Sequence, residues 1–220
     1  MVSDKSRGTG VPPVRRGQNA HASFKARQGA YLPHWTMEGS TYAVTFRLVD
    51  SLPKHVLEAI LLERDVVLNF ARKKTRNLSE TDEARLELLY VEKIENYLDT
   101  GYGQCWLKDN RIARIVTDSL RYFEGERYYL PAWCVMPNHV HAVLHPHKEN
   151  SLSEILHSWK SFTAKEANKA LCRNGEFWQE EYYDHVIRDQ DDFCHAVEYV
   201  LGNPVKAGLK SWKWVGHTPW

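Results

Sequence analysis

YLPAWCVMPNHVHAVLHP, residues 129–146, is apolar almost throughout, yet it carries His139 and His141 directly after Pro137-Asn138. Two β-rich runs, Tyr128 to Trp133 and Val140 to Leu144, flank the turn-forming MPNH and read as two short strands. In a strand, residues two apart share a face. His139 and His141 therefore project together while Val140 turns the other way. Two imidazoles so placed can reach one metal ion, whereas a single strand histidine is usually a packing residue. The spacing alone leaves both readings open. Imidazole suits Zn, Mn, Co or Fe, and Mg where oxygen ligands complete the shell.

The neighbouring segments say what these strands pack against. STYAVTFRLVD (40–50) alternates Tyr42, Val44 and Phe46 with Ala43, Thr45 and Arg47, and reads as a strand ended by Pro53. From Lys54 the pattern is helical, with Val56, Ile60, Val67 and Phe70 on one side. A second helix is expected over LSETDEARLELLYVEKIENYLDT, capped by Ser79 or Thr81, with Leu86, Leu89, Val91 and Ile94 as apolar contacts. A third spans 109–124, burying Ile112, Ile115, Val116 and Leu120. Ser151 and Glu154 form a capping box ahead of the stripe Leu152, Ile155, Leu156 and Trp159. Residues 172–190 are aromatic and irregular, and a last helix runs from about Asp191 to Gly202, broken by Asn203-Pro204. This order predicts an α+β fold, an antiparallel sheet with helices packed on one face. Residues 72–110 read as a helical insertion, residues 1–30 as a basic, unstructured tail, and 31–220 as one domain.

The last helix carries a second candidate group. Phe193, Val197, Val200 and Leu201 follow helical spacing, and Tyr199 and Asn203, four apart, share a different face. Asn203 could lend an amide oxygen to a metal, with Tyr199 one turn away. Equally, a surface tyrosine and an asparagine at a helix end are ordinary.

Composition narrows the class. With 43% hydrophobic and 26% charged residues, the chain is of ordinary globular type. No run of eighteen apolar residues occurs, so no membrane partner is expected. The start lacks the apolar core of a secretory signal, and a cytoplasmic protein is the expectation. Cysteines 105, 134, 172 and 194 form no C-x-x-C pair, which points to free thiols rather than zinc or a disulfide framework. The net charge is +1, but basic residues gather at the ends: Lys5, Arg7, Arg15, Arg16, Lys25 and Arg27 near the start, Lys206, Lys210 and Lys213 near the finish. Basic ends on a near-neutral body suit a polyanion partner.

MPNHVHAVLHP, WKSFTAKEANK, FWQEEYYDHVIRDQDDF and EYVLGNPVKAGL together resemble, in order and spacing, the single-tyrosine HUH transposase family, in its REP-associated branch. The resemblance runs over roughly residues 30–218. It implies a ferredoxin-like or RRM-like sheet, His139 and His141 as metal ligands, Tyr199 as catalytic nucleophile and Asn203 as third ligand. Insertion-sequence relatives carry Gln at that last position. It further implies a divalent ion, Mg²⁺ or Mn²⁺, and cleavage and rejoining of single-stranded DNA beside hairpin-forming, REP-like palindromes through a 5′-phosphotyrosyl link. Lys206 would contact the DNA backbone, with Arg15 and Arg16 adding charge. Trp178 and Tyr182 would either stack on unpaired bases or pack the terminal helix. The protein would act as a monomer or homodimer. Two other functions fit the same residues: a non-catalytic hairpin-binding protein, and a phosphodiesterase using metal-activated water.

Overall fold

The alternation in residues 42–47 sets the sheet. The computed structural model describes residues 25–28, 33–36, 39–73 and 90–219, so Arg15, Arg16 and the expected contacts of Ser79, Thr81, Leu86 and Leu89 lie outside the described residues. Strand β3 (Tyr42–Arg47) lies between β5 (His139–Pro146) and β6 (Tyr183–Val186). Strand β4 (Tyr128–Val135) pairs with the far side of β5 and then with β7 (Val215–His217), giving the order β6-β3-β5-β4-β7, antiparallel throughout. The first four of these strands, with their connecting helices, make the ferredoxin-like arrangement. Ahead of the sheet, β1 (Lys25–Gln28) and β2 (Pro33–Thr36) pair as a separate ribbon. That part of the expected tail is therefore strand.

Each face of the sheet has its own cover. Tyr42, Val44 and Phe46 of β3 stand in register with Leu144, Ala142 and Val140 of β5. That face meets α3 (Asn110–Tyr122), through Ile112, Val116 and Leu120, and α4 (Leu152–Ala170), through Ile155, Leu156 and Trp159. Asp109 caps α3 by accepting from the Arg111 N–H, and the Ser151–Glu154 capping box starts α4 as expected. Buried indoles are satisfied: Trp159 donates to the Tyr128 hydroxyl at 2.9 Å, which in turn donates to the Leu120 carbonyl.

The terminal helix α5 (Gln190–Lys206) lies on the opposite face, where Phe193, Val197 and Val200 cover Ala132, Cys134, Met136 and Val143. Helices therefore cover both faces, rather than the single face expected. The helix also runs past Asn203-Pro204. Pro204 forfeits only its own N–H bond, and Ala207 still donates to the Asn203 carbonyl at 3.0 Å.

A third, smaller core holds the remaining helices over this second face. In α1 (Lys54–Lys73), Val56 and Ile60 pack with Leu52, Ile94 and Leu98, and Tyr183 of β6 closes the cluster. Phe70, expected on that apolar side, is exposed instead. Ile94 sits in a π-helical turn, Tyr90–Glu95, that runs into the short α2 (Asn96–Asp99). The chain then returns along the sheet's end. Gly103 has φ of +88°, and a Cβ there would lie 2.6 Å from the Asp50 carbonyl oxygen. Next to it, the Gln104 N–H donates to Asp50 at 2.9 Å.

Gly103→Ala should therefore cost more stability than Gly39→Ala. Both positions have positive φ, but a Cβ at Gly39 meets nothing within 4 Å. Urea unfolding should show a loss of about 1 kcal/mol at Gly39 and about 2–3 kcal/mol at Gly103. Equal losses would mean that the approach to Asp50 is not tight.

Candidate active site

β5 delivers the two histidines to the α5 side of the sheet. Their cross-strand partners on β3 are Arg47 for His139 and Thr45 for His141. Both imidazoles are buried, and each is held from behind. His139 Nδ1 lies 2.7 Å from Asn138 Oδ1, and the Asn138 amide is oriented by donating from Nδ2 to the Tyr102 carbonyl at 2.9 Å. An amide oxygen only accepts, so His139 carries its proton on Nδ1 and presents a lone pair at Nε2. His141 Nδ1 meets Thr45 Oγ1 at 2.8 Å. The two Nε2 atoms face each other at 2.9 Å, with the rings at 86°. At that separation two lone pairs repel unless a proton or a cation lies between them.

The α5 packing aims Tyr199 at the same place. Its ring stands edge-on to His141, with centroids 5.5 Å apart. The Tyr199 hydroxyl donates to Glu95 Oε2 at 2.5 Å, while the residue remains 36% exposed. One turn on, Asn203 is buried at 1%, and neither atom of its amide has a hydrogen-bond partner. The amide approaches Tyr199 without reaching hydrogen-bond geometry. A buried, unpaired amide is costly, so the position calls for a physical reason. Lys206 lies over the Tyr199 ring, 5.5 Å from its centroid, and pairs with Asp99 at 3.2 Å.

Burial dominates the electrostatics. It holds both imidazoles in their neutral form, His139 well below its usual range and His141 at about 3, with the Lys206 charge acting in the same direction. Burial also raises the Tyr199 phenol, helped by the Glu95 carboxylate beside it. Glu95 is itself pushed up by burial, against the opposing effect of the Tyr199 hydrogen bond and the Lys206 charge.

The structure thus gathers His139, His141, Tyr199, Asn203 and Lys206 on one face of the sheet. Among the described residues no third histidine, cysteine or carboxylate joins the pair. Trp178 belongs elsewhere. It is buried on the opposite face, edge-on to Phe46 at 4.9 Å, and its indole donates to Thr163 Oγ1, so it packs the core and cannot stack on a base. Tyr182 is half-buried against that same core. His145 lies in β5 beside Thr41. Three site residues escaped the sequence reading: Thr45, Asn138 and Glu95. Asn138 stands in the quoted motif and could have been taken as the brace of its neighbour. Glu95 falls in a helical pattern where glutamate is ordinary, and no local signal singles it out.

Residues 105–201 match the family model described as "Transposase IS200 like". A REP-associated tyrosine transposase of Escherichia coli (strain K12) is 30% identical over 82 residues, 37% of this chain and 47% of that relative. A Haemophilus influenzae relative is 27% identical over 95 residues, covering 54% of its length. The chain spans about half the length of the curated relatives it matches. A solved structure of a REP-associated tyrosine transposase bound to a REP hairpin aligns with a TM-score of 0.48 at 16% identity, over 86% of this chain and 80% of that one. Among the described residues no helix is long and apolar enough to cross a membrane.

Two imidazoles that stay neutral when folded, but protonate near pH 6.5 when unfolded, make stability fall with acid. Their contribution is complete above about pH 6.5 and is lost below it. Each imidazole adds a slope of up to about 1.4 kcal/mol per pH unit, because the unfolded chain binds the extra proton. Urea midpoints measured with chelator present should drop as pH falls from about 7.5 to about 5. His141→Asn should flatten that slope, and an unchanged slope would mean that His141 titrates normally in the fold.

Proposed function

We propose that this chain, whose residues 105–201 match the IS200-like transposase model, cleaves and rejoins single-stranded DNA at hairpin-forming repeats through a covalent bond to Tyr199. The observation that carries this reading is the placement of a partly exposed tyrosine, its ring edge-on to His141, beside two neutral, converging imidazoles and an unpaired buried amide.

The donor set fits a divalent ion. His139 and His141 offer neutral nitrogens and Asn203 an amide oxygen, and nitrogen with oxygen donors suits Mn²⁺ or Mg²⁺. Bound there, such an ion would polarise the phosphodiester and offset charge at phosphorus. Asn138 and Thr45 brace the ring nitrogens away from that position, so the imidazoles are oriented before substrate arrives.

The chain's own groups supply the covalent step. Tyr199 Oη attacks phosphorus, and the new Oη–P bond forms as the bond from phosphorus to the 3′ oxygen breaks. The 5′ phosphate stays on the tyrosine, and the 3′ oxygen leaves as a hydroxyl after taking a proton from water. An incoming 3′-hydroxyl reverses the step, and no nucleotide cofactor is needed, because the ester conserves the bond. Lys206, beside the ring, places positive charge where the strand's phosphates would run.

Single-stranded hairpin DNA from repeats flanking the gene, incubated with Mn²⁺ or Mg²⁺, should yield a denaturation-resistant adduct. Tyr199→Phe should abolish it while hairpin affinity changes by less than about threefold, since one hydroxyl contributes little to a phosphate-dominated contact. Cleavage that persists in this variant would instead indicate metal-activated water. His139→Ala with His141→Ala should remove cleavage and its metal dependence together. Metal-dependent cleavage surviving in that double variant would contradict the donor set.

A further inference from the structure

Glu95 is placed where no packing requirement explains it. It closes the π-helical turn 90–95, a feature that often marks functional positions. Its neighbours Ile94 and Leu98 point into the third core with Val56 and Ile60. Glu95 itself is 6% exposed, and its Oε2 receives the Tyr199 hydroxyl at 2.5 Å. A carboxylate taken out of water is costly unless it is paired. Lys206, the nearby cation, forms its ion pair with Asp99. Among the described residues, the hydrogen bond that Glu95 makes is thus with the one oxygen that must lose a proton for the proposed reaction to proceed.

We infer that Glu95 is a catalytic residue, the base that takes the Tyr199 proton as Oη attacks phosphorus. This rests on the reading of Tyr199 as nucleophile. The proton moves from Oη to Oε2 while the Oη electron pair forms the bond to phosphorus, and the 3′ oxygen departs with the pair of the broken bond. In the rejoining direction the tyrosine leaves phosphorus and the Glu95 carboxylic acid returns the proton.

The geometry favours transfer during attack over prior ionisation. A free phenolate beside a carboxylate at 2.5 Å would set two negative charges together. Moving the proton across that bond keeps one negative charge on the pair, and it passes into the bond to phosphorus. Burial of Glu95 strengthens it as a base. Residues 90–99 thereby gain a role, since they set the carboxylate beside α5.

The test is single-turnover adduct formation by Glu95→Gln in the full chain. Glutamine keeps an oxygen that accepts from the tyrosine but cannot take its proton. The account expects adduct formation slowed by about 10²–10⁴-fold, with hairpin affinity within about twofold of the parent. Replacing Tyr199 by 3,5-difluorotyrosine in that variant, which makes the phenol more acidic, should recover much of the loss. A Glu95→Gln rate within about threefold of the parent overturns the inference. So does a slow variant that the fluorinated tyrosine does not rescue, or one that loses hairpin binding as well, since either outcome leaves Glu95 with a positioning role only. A parent protein that cleaves without any Tyr199 adduct overturns the nucleophile reading, and with it this role for Glu95.

Discussion

Thr45 opposite His141, across β3 and β5, is the pairing on which the rest depends. Because side chains alternate strictly along a strand, one register decides two things together. It sends Val44, Phe46, Val140 and Ala142 into the α3–α4 core and sends His139 and His141 to the α5 face. Slipping β5 by one residue would bury the imidazoles among aromatic side chains and turn Val140 to the α5 face. The large core on one face therefore holds the site on the other in place, and the Thr45 hydroxyl then fixes the ring of the residue it opposes.

The site's second half is fixed from the opposite side. Phe193, Val197 and Val200 set the rotation of α5, and that rotation puts Tyr199 against His141. The residues between α1 and α3 close the arrangement by two routes. Ile94 and Leu98 dock on α1 and bring Glu95 to the tyrosine. Further on, Tyr102 and Leu107 bond to the turn ahead of His139, through the Asn138 amide and the Pro137 carbonyl. Gly103 permits that path by coming close to Asp50 where a side chain would not fit.

Much of this was legible from periodicity. The two-residue spacing of His139 and His141 and the alternation of Tyr42, Val44 and Phe46 are local signals, as is the Ser151–Glu154 box, and the structure has each of these features. What failed to show was set by tertiary contact. β6 is a four-residue strand of mixed polarity and β7 one of three, and neither carries a pattern apart from its pairing. Sequence alone left Trp178 open between stacking and packing because composition says nothing of depth. Glu95 was hidden for a related reason: its meaning comes from a tyrosine 104 residues away.

The central claim is that DNA becomes bonded to Tyr199, and locating the bond tests it most directly. After reaction with hairpin DNA, digestion by nuclease and trypsin should leave a nucleotide mass on the peptide Asp189–Lys206, which contains Tyr199 as its one tyrosine. Fragmentation should place that mass on Tyr199. A nucleotide found on Tyr182 or Tyr183 instead, or complete cleavage of the DNA with every tyrosine unmodified, would contradict the account.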